Sequence, residues 1–227
     1  MNNFHLILTI LNRQYEQEYI DFIEQYGVKR IASTLAHGTA TKSISEMLGL
    51  ENNKKTVFQS VIASAQVQSL FYGLISHFGI NMPGTGIAMS IPLESIAGAS
   101  SLKYLTEGQE SFSSEEVRMK ETKYSLITVI VEKGCSDMVM DAARDAGARG
   151  GTVVHAKGTG TEQVAKFFGV SITPEKELIY IATRKSQRTE IMKAIMENAG
   201  PHTEAKAVVF SLPVEEIAGL TSIQEEE

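Results

Sequence analysis

Apolar residues along the chain fall into short blocks of two kinds, and the blocks recur in the same order. Phe4 to Leu11 and Ser125 to Val131 are compact apolar runs rich in β-branched residues, the pattern of central strands. After the first run, Tyr15, Tyr19, Phe22, Ile23 and Tyr26 recur at helical spacing and Gly27 supplies a stop. After the second, Met138, Ala142, Ala143 and Ala146 do the same before Gly147. Further strands are predicted over Val28 to Ala36 and Thr56 to Ala63, matched by Gly151 to Ala156 and Glu177 to Thr183. A second helix carries Val67, Leu70, Phe71, Leu74, Ile75 and Phe78 on one face and ends near Gly79. Its counterpart uses Ile191, Ala194, Ile195 and Ala199 before Gly200. A last strand, Ile87 to Ile91 or Val208 to Leu212, runs into a proline-bearing turn. The order is βαββαβ, written twice.

The two halves also align by identity. A shift of 120 residues carries Leu6-Ile7 onto Leu126-Ile127, Gly27 onto Gly147 and Gly38-Thr39 onto Gly158-Thr159. After one inserted residue, a shift of 121 carries Gly79 onto Gly200 and Ser90, Pro92, Glu94, Ile96, Ala97 and Gly98 onto Ser211, Pro213, Glu215, Ile217, Ala218 and Gly219. A period this long is a domain, not a solenoid unit.

The expected class is therefore α+β: two ferredoxin-like βαββαβ sandwiches in tandem. Right-handed split crossovers give each a four-stranded antiparallel sheet with two helices on one face. The domains are expected at residues 1–98 and 124–227, the second with a short acidic tail, joined by a polar linker over 99–123. The sheet face without helices carries apolar side chains and wants a partner, from the other copy or another chain, and a homo-oligomer is expected.

Composition narrows the function. The mass of 24.8 kDa lets about 70% of the unfolded surface be buried. A net charge of -6 argues against a general nucleic-acid binder, which needs a basic footprint. The single cysteine, Cys135, makes neither an internal disulfide nor a thiolate cluster. No apolar run is long enough for membrane insertion as a helix, and no secretion signal is read at Met1-Asn2-Asn3, so a cytoplasmic protein is expected.

Chemistry concentrates in the connections. The loop between the second and third strands of each copy is about twenty residues, where a hairpin needs two to five. Both loops open on a Gly/Thr run, Gly38-Thr39-Ala40-Thr41 and Lys157-Gly158-Thr159-Gly160-Thr161, and continue into apolar triplets at i, i+3, i+4 that predict a short helix. With Thr41 and Thr161 as N-caps, free backbone N–H groups would face an anion; the alternative is a plain capped turn. Recurrence in both copies favours the anion site. A second glycine loop, Gly84-Thr85-Gly86, offers close backbone approach to a phosphate, or simply a tight turn into the last strand. Its aligned stretch in the second copy is Ala205-Lys206-Ala207. No nucleophile–base pair or metal-ligand spacing is present, so no enzyme is expected. Cys135 opens a helix, a place where a thiol pKa can fall.

These motifs resemble the P-II family of nitrogen-regulatory signalling proteins, as a tandem fusion covering roughly Phe4 to Gly98 and Tyr124 to Gly219. The resemblance rests on the element order, the glycines at the base of the long loop, Gly84-Thr85-Gly86 and the closing Ser211-Leu212-Pro213-Val214-Glu215-Glu216. It implies a trimeric arrangement of domains with adenine nucleotides (ATP, ADP or AMP) in interdomain clefts. It further implies phosphates held at Gly38, Thr39 and Thr41, at Gly84, Thr85 and Gly86, and at Lys157, Gly158, Thr159, Gly160 and Thr161, and a partner protein regulated in response. The chain departs from the family in lacking its Arg-x-Arg-Thr-Gly-Glu motif, in having Ile87 and Val208 at the expected lysine, and in having no tyrosine in either long loop. The leading expectation is a regulatory protein with a small anionic effector; the alternative is a metal- or amino-acid-sensing ferredoxin-like regulator without nucleotide binding.

Overall fold

The computed structural model describes residues 4–39, 54–93, 99–107, 109, 122–157, 165–167, 170–172 and 175–220. The chain divides into two compact units. The first comprises Met1–Leu35, Thr41–Tyr124 and Pro213–Glu227, and the second Ala36–Ala40 and Ser125–Leu212. The fold is α+β with antiparallel sheet, as the hydrophobic periods predict.

In the first unit the strands are β1 (Phe4–Asn12), β2 (Ile31–Gly38, of which the last three residues belong to the second unit), β3 (Lys54–Ala63), β4 (Gly86–Pro92) and a short terminal strand, β11 (Glu216–Ala218). They lie in the order β2-β3-β1-β4-β11. Helices α1 (Glu16–Glu24) and α2 (Ser64–Phe78) cover one face. Their apolar stripes, Tyr19, Phe22 and Ile23 from α1 with Val67, Leu70, Phe71, Leu74 and Phe78 from α2, close over Ile7, Leu11, Phe58 and Ile62. Ile75, expected on the same stripe, is exposed. The Tyr19 hydroxyl is buried and donates to Thr9 Oγ1 at 2.9 Å, and burial pushes its pKa well above the ordinary phenol value. Gly79 takes a left-handed φ of 59° as the C-cap of α2, the stop its sequence signalled.

Leu8, Ile10, Val57 and Met89 point to the face opposite α1 and α2 and are buried. One expectation changes here. The sheet is wider than four strands, because the closing motif of the second copy returns to pair with β4: Glu216 opposite Ser90 and Ala218 opposite Ala88. His5, only 6% exposed, accepts or donates at 2.9 Å to Glu215 and at 3.0 Å to Ser64 Oγ, fastening that returning segment. Part of the expected linker docks on this unit. Helix α3 (Ala99–Leu105) places Tyr104 under the Arg30 guanidinium, 4.6 Å from its centroid. The Gln109 amide caps β3, donating to Val61 O and accepting from Ala63 N–H.

In the second unit β5 (Tyr124–Glu132), β6 (Thr152–Lys157), β9 (Glu175–Arg184) and β10 (Val208–Val214, whose last two residues belong to the first unit) are ordered β10-β5-β9-β6, with Ala36–Gly38 of β2 on β6. Helices α4 (Ser136–Asp145) and α5 (Arg188–Ala199) pack Val139, Met140, Ala143, Ile191, Ile195 and Ala199 on Ile127, Val129, Val131, Ile179 and Ile181. The predicted short helix after Gly158 is corrected: Ala165–Phe167 (β7) and Val170–Ile172 (β8) pair antiparallel. Three apolar residues at i, i+3, i+4 span barely one turn, too short for periodicity to decide, and the β-branched and aromatic composition favours strands.

Gly86 illustrates a position where backbone contact demands glycine. A Cβ there would sit 2.3 Å from the Ile10 carbonyl oxygen. Gly86→Ala should lower stability by about 1–3 kcal/mol, as overpacking does, read as a fall in urea midpoint. An unchanged midpoint would show that β1 yields without strain.

Candidate functional site

The turn before β4 gathers a cation and a run of glycine-permissive backbone. Gly84 has φ 83°, open to glycine and strained for other residues. Thr85 N–H donates to Met82 O at 3.3 Å, closing the turn. Lys55, near the start of β3, extends its ammonium to this turn and donates to Gly84 O at 3.1 Å and to Asn12 Oδ1 at the end of β1. Asn12 Nδ2 donates to the same carbonyl at 3.3 Å. Among the described residues every acceptor of the Lys55 ammonium is neutral. Partial burial pushes its pKa below the ordinary value of 10.5, because desolvation penalises the charged form. Arg13 follows Asn12 and brings a buried Nε without a hydrogen-bond partner.

The second copy builds the same turn and cancels its charge. The repeat shifts carry Lys55 onto Lys176 and Asn12 onto Glu132, and Lys176 forms an ion pair with Glu132. Glu132 N–H also donates to Ala205 O at 3.1 Å, and Lys206 N–H to Thr203 O at 3.3 Å, repeating the Thr85–Met82 bond. Lys206 adopts φ 46° without being glycine. Side chains thus occupy the turn that is bare in the first copy, and a carboxylate neutralises its lysine.

The base of the first long loop is differently committed. Gly38 closes β2 opposite Thr152. Thr39 N–H and Oγ1 both donate to Gly151 O, at 3.0 and 2.9 Å, and Thr39 Oγ1 accepts from Gly151 N–H at 2.7 Å. Arg144 donates to Thr39 O at 2.6 Å. Thr39 therefore has no amide proton to spare. Lys157 ends β6 opposite Glu175. Thr41, Gly158, Thr159, Gly160 and Thr161 lie outside the described residues. Of the residues the sequence singled out, the structure brings together Gly84, Thr85 and Gly86, and adds Lys55 and Asn12, which sequence reasoning missed. The signal was present in the Asn12/Glu132 difference between the copies. Cys135 stands at the N-terminus of α4, and burial, followed by the charges of Glu204, Glu177 and Glu132, pushes its thiol pKa up, in keeping with a passive helix-start residue.

A βαββαβ unit with a glycine turn beside a lysine defines a small α+β binding module. Residues 124–222 match the family described as nitrogen regulatory protein P-II. That stretch is a little under half of the chain. A solved structure, the crystal structure of Arabidopsis thaliana PII bound to citrate, is 25% identical over 42% of this chain and 80% of its own, with a TM-score of 0.34. That superposition is too loose to carry geometry across. Comparison with curated proteins gives no match.

The Lys55 environment has a measurable signature. The unfolded chain, with its lysine near 10.5, binds more protons than the folded chain between the depressed Lys55 pKa and that value. This group therefore adds stability as pH rises through that window. By NMR titration Lys55 should deprotonate below the ordinary lysine value of 10.5, and Asn12→Glu should move it upward. Deprotonation of Lys55 at or above that value in the unsubstituted chain would contradict the assignment.

Proposed function

We propose that the protein is a P-II-like signal-transduction protein that binds a small anionic effector at the glycine turn of its first copy and regulates a partner protein in response. One observation carries this reading: the Lys55 ammonium is partly desolvated beside Gly84-Thr85-Gly86 and, among the described residues, has only neutral acceptors. A desolvated cation without a carboxylate favours an incoming anion, and a turn poor in side chains admits it. The match of residues 124–222 to the P-II family supports a regulatory role and the binding of small effectors. Adenine nucleotides (ATP, ADP or AMP) are the proposed effectors, since their phosphates supply the charge that Lys55 and the turn would receive. We assign the tandem arrangement, with copies at 1–98 and 124–227, to the internal repeat, and the regulated process to nitrogen metabolism by family. The loop-base residues Gly38, Thr39 and Thr41, with Lys157 and Gly158 to Thr161, are proposed as further phosphate contacts on the strength of the resemblance, the Thr39 amide itself being engaged by Gly151.

Thermal unfolding with each nucleotide tests this reading. At 100-fold saturation a nucleotide should add about 2.7 kcal/mol of stability. Lys55→Met should abolish the gain, while Lys176→Met, which alters a lysine already paired with Glu132, should leave it intact. Equal stabilisation of the Lys55→Met variant, or stabilisation by amino acids alone, would refute it.

A further inference from the structure

A second cluster lies in the other unit and shares no residue with the glycine turn. His37 stands opposite Val153 across the β2–β6 pair, so it shares a sheet face with His155, two residues further along β6. His155 in turn stands opposite Glu177 on β9. Three neighbouring strands thus present two imidazoles and a carboxylate on one face. The rings are 5.9 Å apart between centroids, and His155 Nδ1 is 3.7 Å from Glu177 Oε1.

Glu177 is the unusual member. It is 5% exposed, and its Oε2 has no hydrogen-bond partner. A buried carboxylate oxygen left unpaired costs free energy that a cation would recover. The adjacent lysines are engaged elsewhere: Lys133 pairs with Glu175 and Lys176 with Glu132. Both histidines are exposed, so a solute can reach them and their rings can turn.

We propose that His37, His155 and Glu177 bind one borderline divalent transition-metal ion of the zinc type. Imidazole with carboxylate suits such ions, and three protein ligands leave a position for water. With metal–nitrogen bonds of about 2.0–2.1 Å, two imidazoles in tetrahedral geometry hold their centroids roughly 5 Å apart. The observed 5.9 Å is within a small ring rotation of that separation. Among the described residues no group of three or more His, Cys, Asp or Glu side chains is placed to hold a metal ion as it stands, His37, His155 and Glu177 included. Metal binding therefore includes a swing of the exposed His37 ring toward the preset His155–Glu177 pair, and it satisfies the orphaned Oε2.

Zinc alone, titrated into the full chain by calorimetry, tests the site. The expected result is one ion per chain, with affinity reduced about tenfold or more by His37→Ala and by His155→Ala, both exposed and compatible with folding. Glu177→Gln should weaken binding as well. His77→Ala, which alters an exposed histidine paired with Glu18 on the other unit, should bind like the parent. No zinc uptake by the parent, uptake that survives either His37→Ala or His155→Ala, or an equal loss in His77→Ala would overturn the proposal.

Discussion

A lysine ammonium withdrawn from water needs a counter-charge, and the two copies of this chain meet that need differently. In the second, Lys176 finds Glu132. In the first, Asn12 stands in place of that glutamate, and among the described residues Lys55 is held by dipoles only, the Gly84 carbonyl and the Asn12 amide oxygen. Neutral acceptors orient an ammonium without cancelling its charge. The cost of desolvation then shows as a lowered pKa, and an anion placed beside it relieves that cost. The candidate site follows from this one unbalanced charge.

The fold makes the imbalance durable. Lys55 and Asn12 face each other across the β1–β3 pair, in register, so strand pairing sets their approach. Gly86 lets β4 press against the Ile10 carbonyl, and Gly219, with φ 85°, packs on Gly86 O from the far side. The His5–Glu215 contact and the β11 pairing hold Gly219 there. Residues from the end of the chain thereby buttress a turn near its middle, and the turn keeps its shape without side chains of its own.

Much of this was legible in the sequence. Strand and helix blocks emerged within a few residues of their observed bounds, because strong apolar periodicity is decided by burial that the structure then delivers. The Gly84-Thr85-Gly86 turn was visible because glycine marks close backbone approach. Lys55 was missed because a lone lysine at a strand start looks solvated; its meaning comes from a neighbour 43 positions away. The return of Glu216–Ala218 to β4 was equally hidden, since the closing motif reads as local turn chemistry, and only pairing shows which edge it joins. The His37–Glu177 relation depends on register across three strands, which sequence spacing does not encode. The hairpin of Ala165–Phe167 with Val170–Ile172 escaped because its apolar pattern was too short to carry a period.

The single difference of Asn12 against Glu132 gives two turns of similar build and different electrostatic character. A crystal structure of the chain soaked in selenate, located by its anomalous signal, measures that difference directly. The account predicts a peak about 3–4 Å from Lys55 Nζ, at hydrogen-bonding or ion-pair range, beside Gly84 to Gly86, and none beside Lys176. Selenate at Lys176, or at neither lysine, would contradict it.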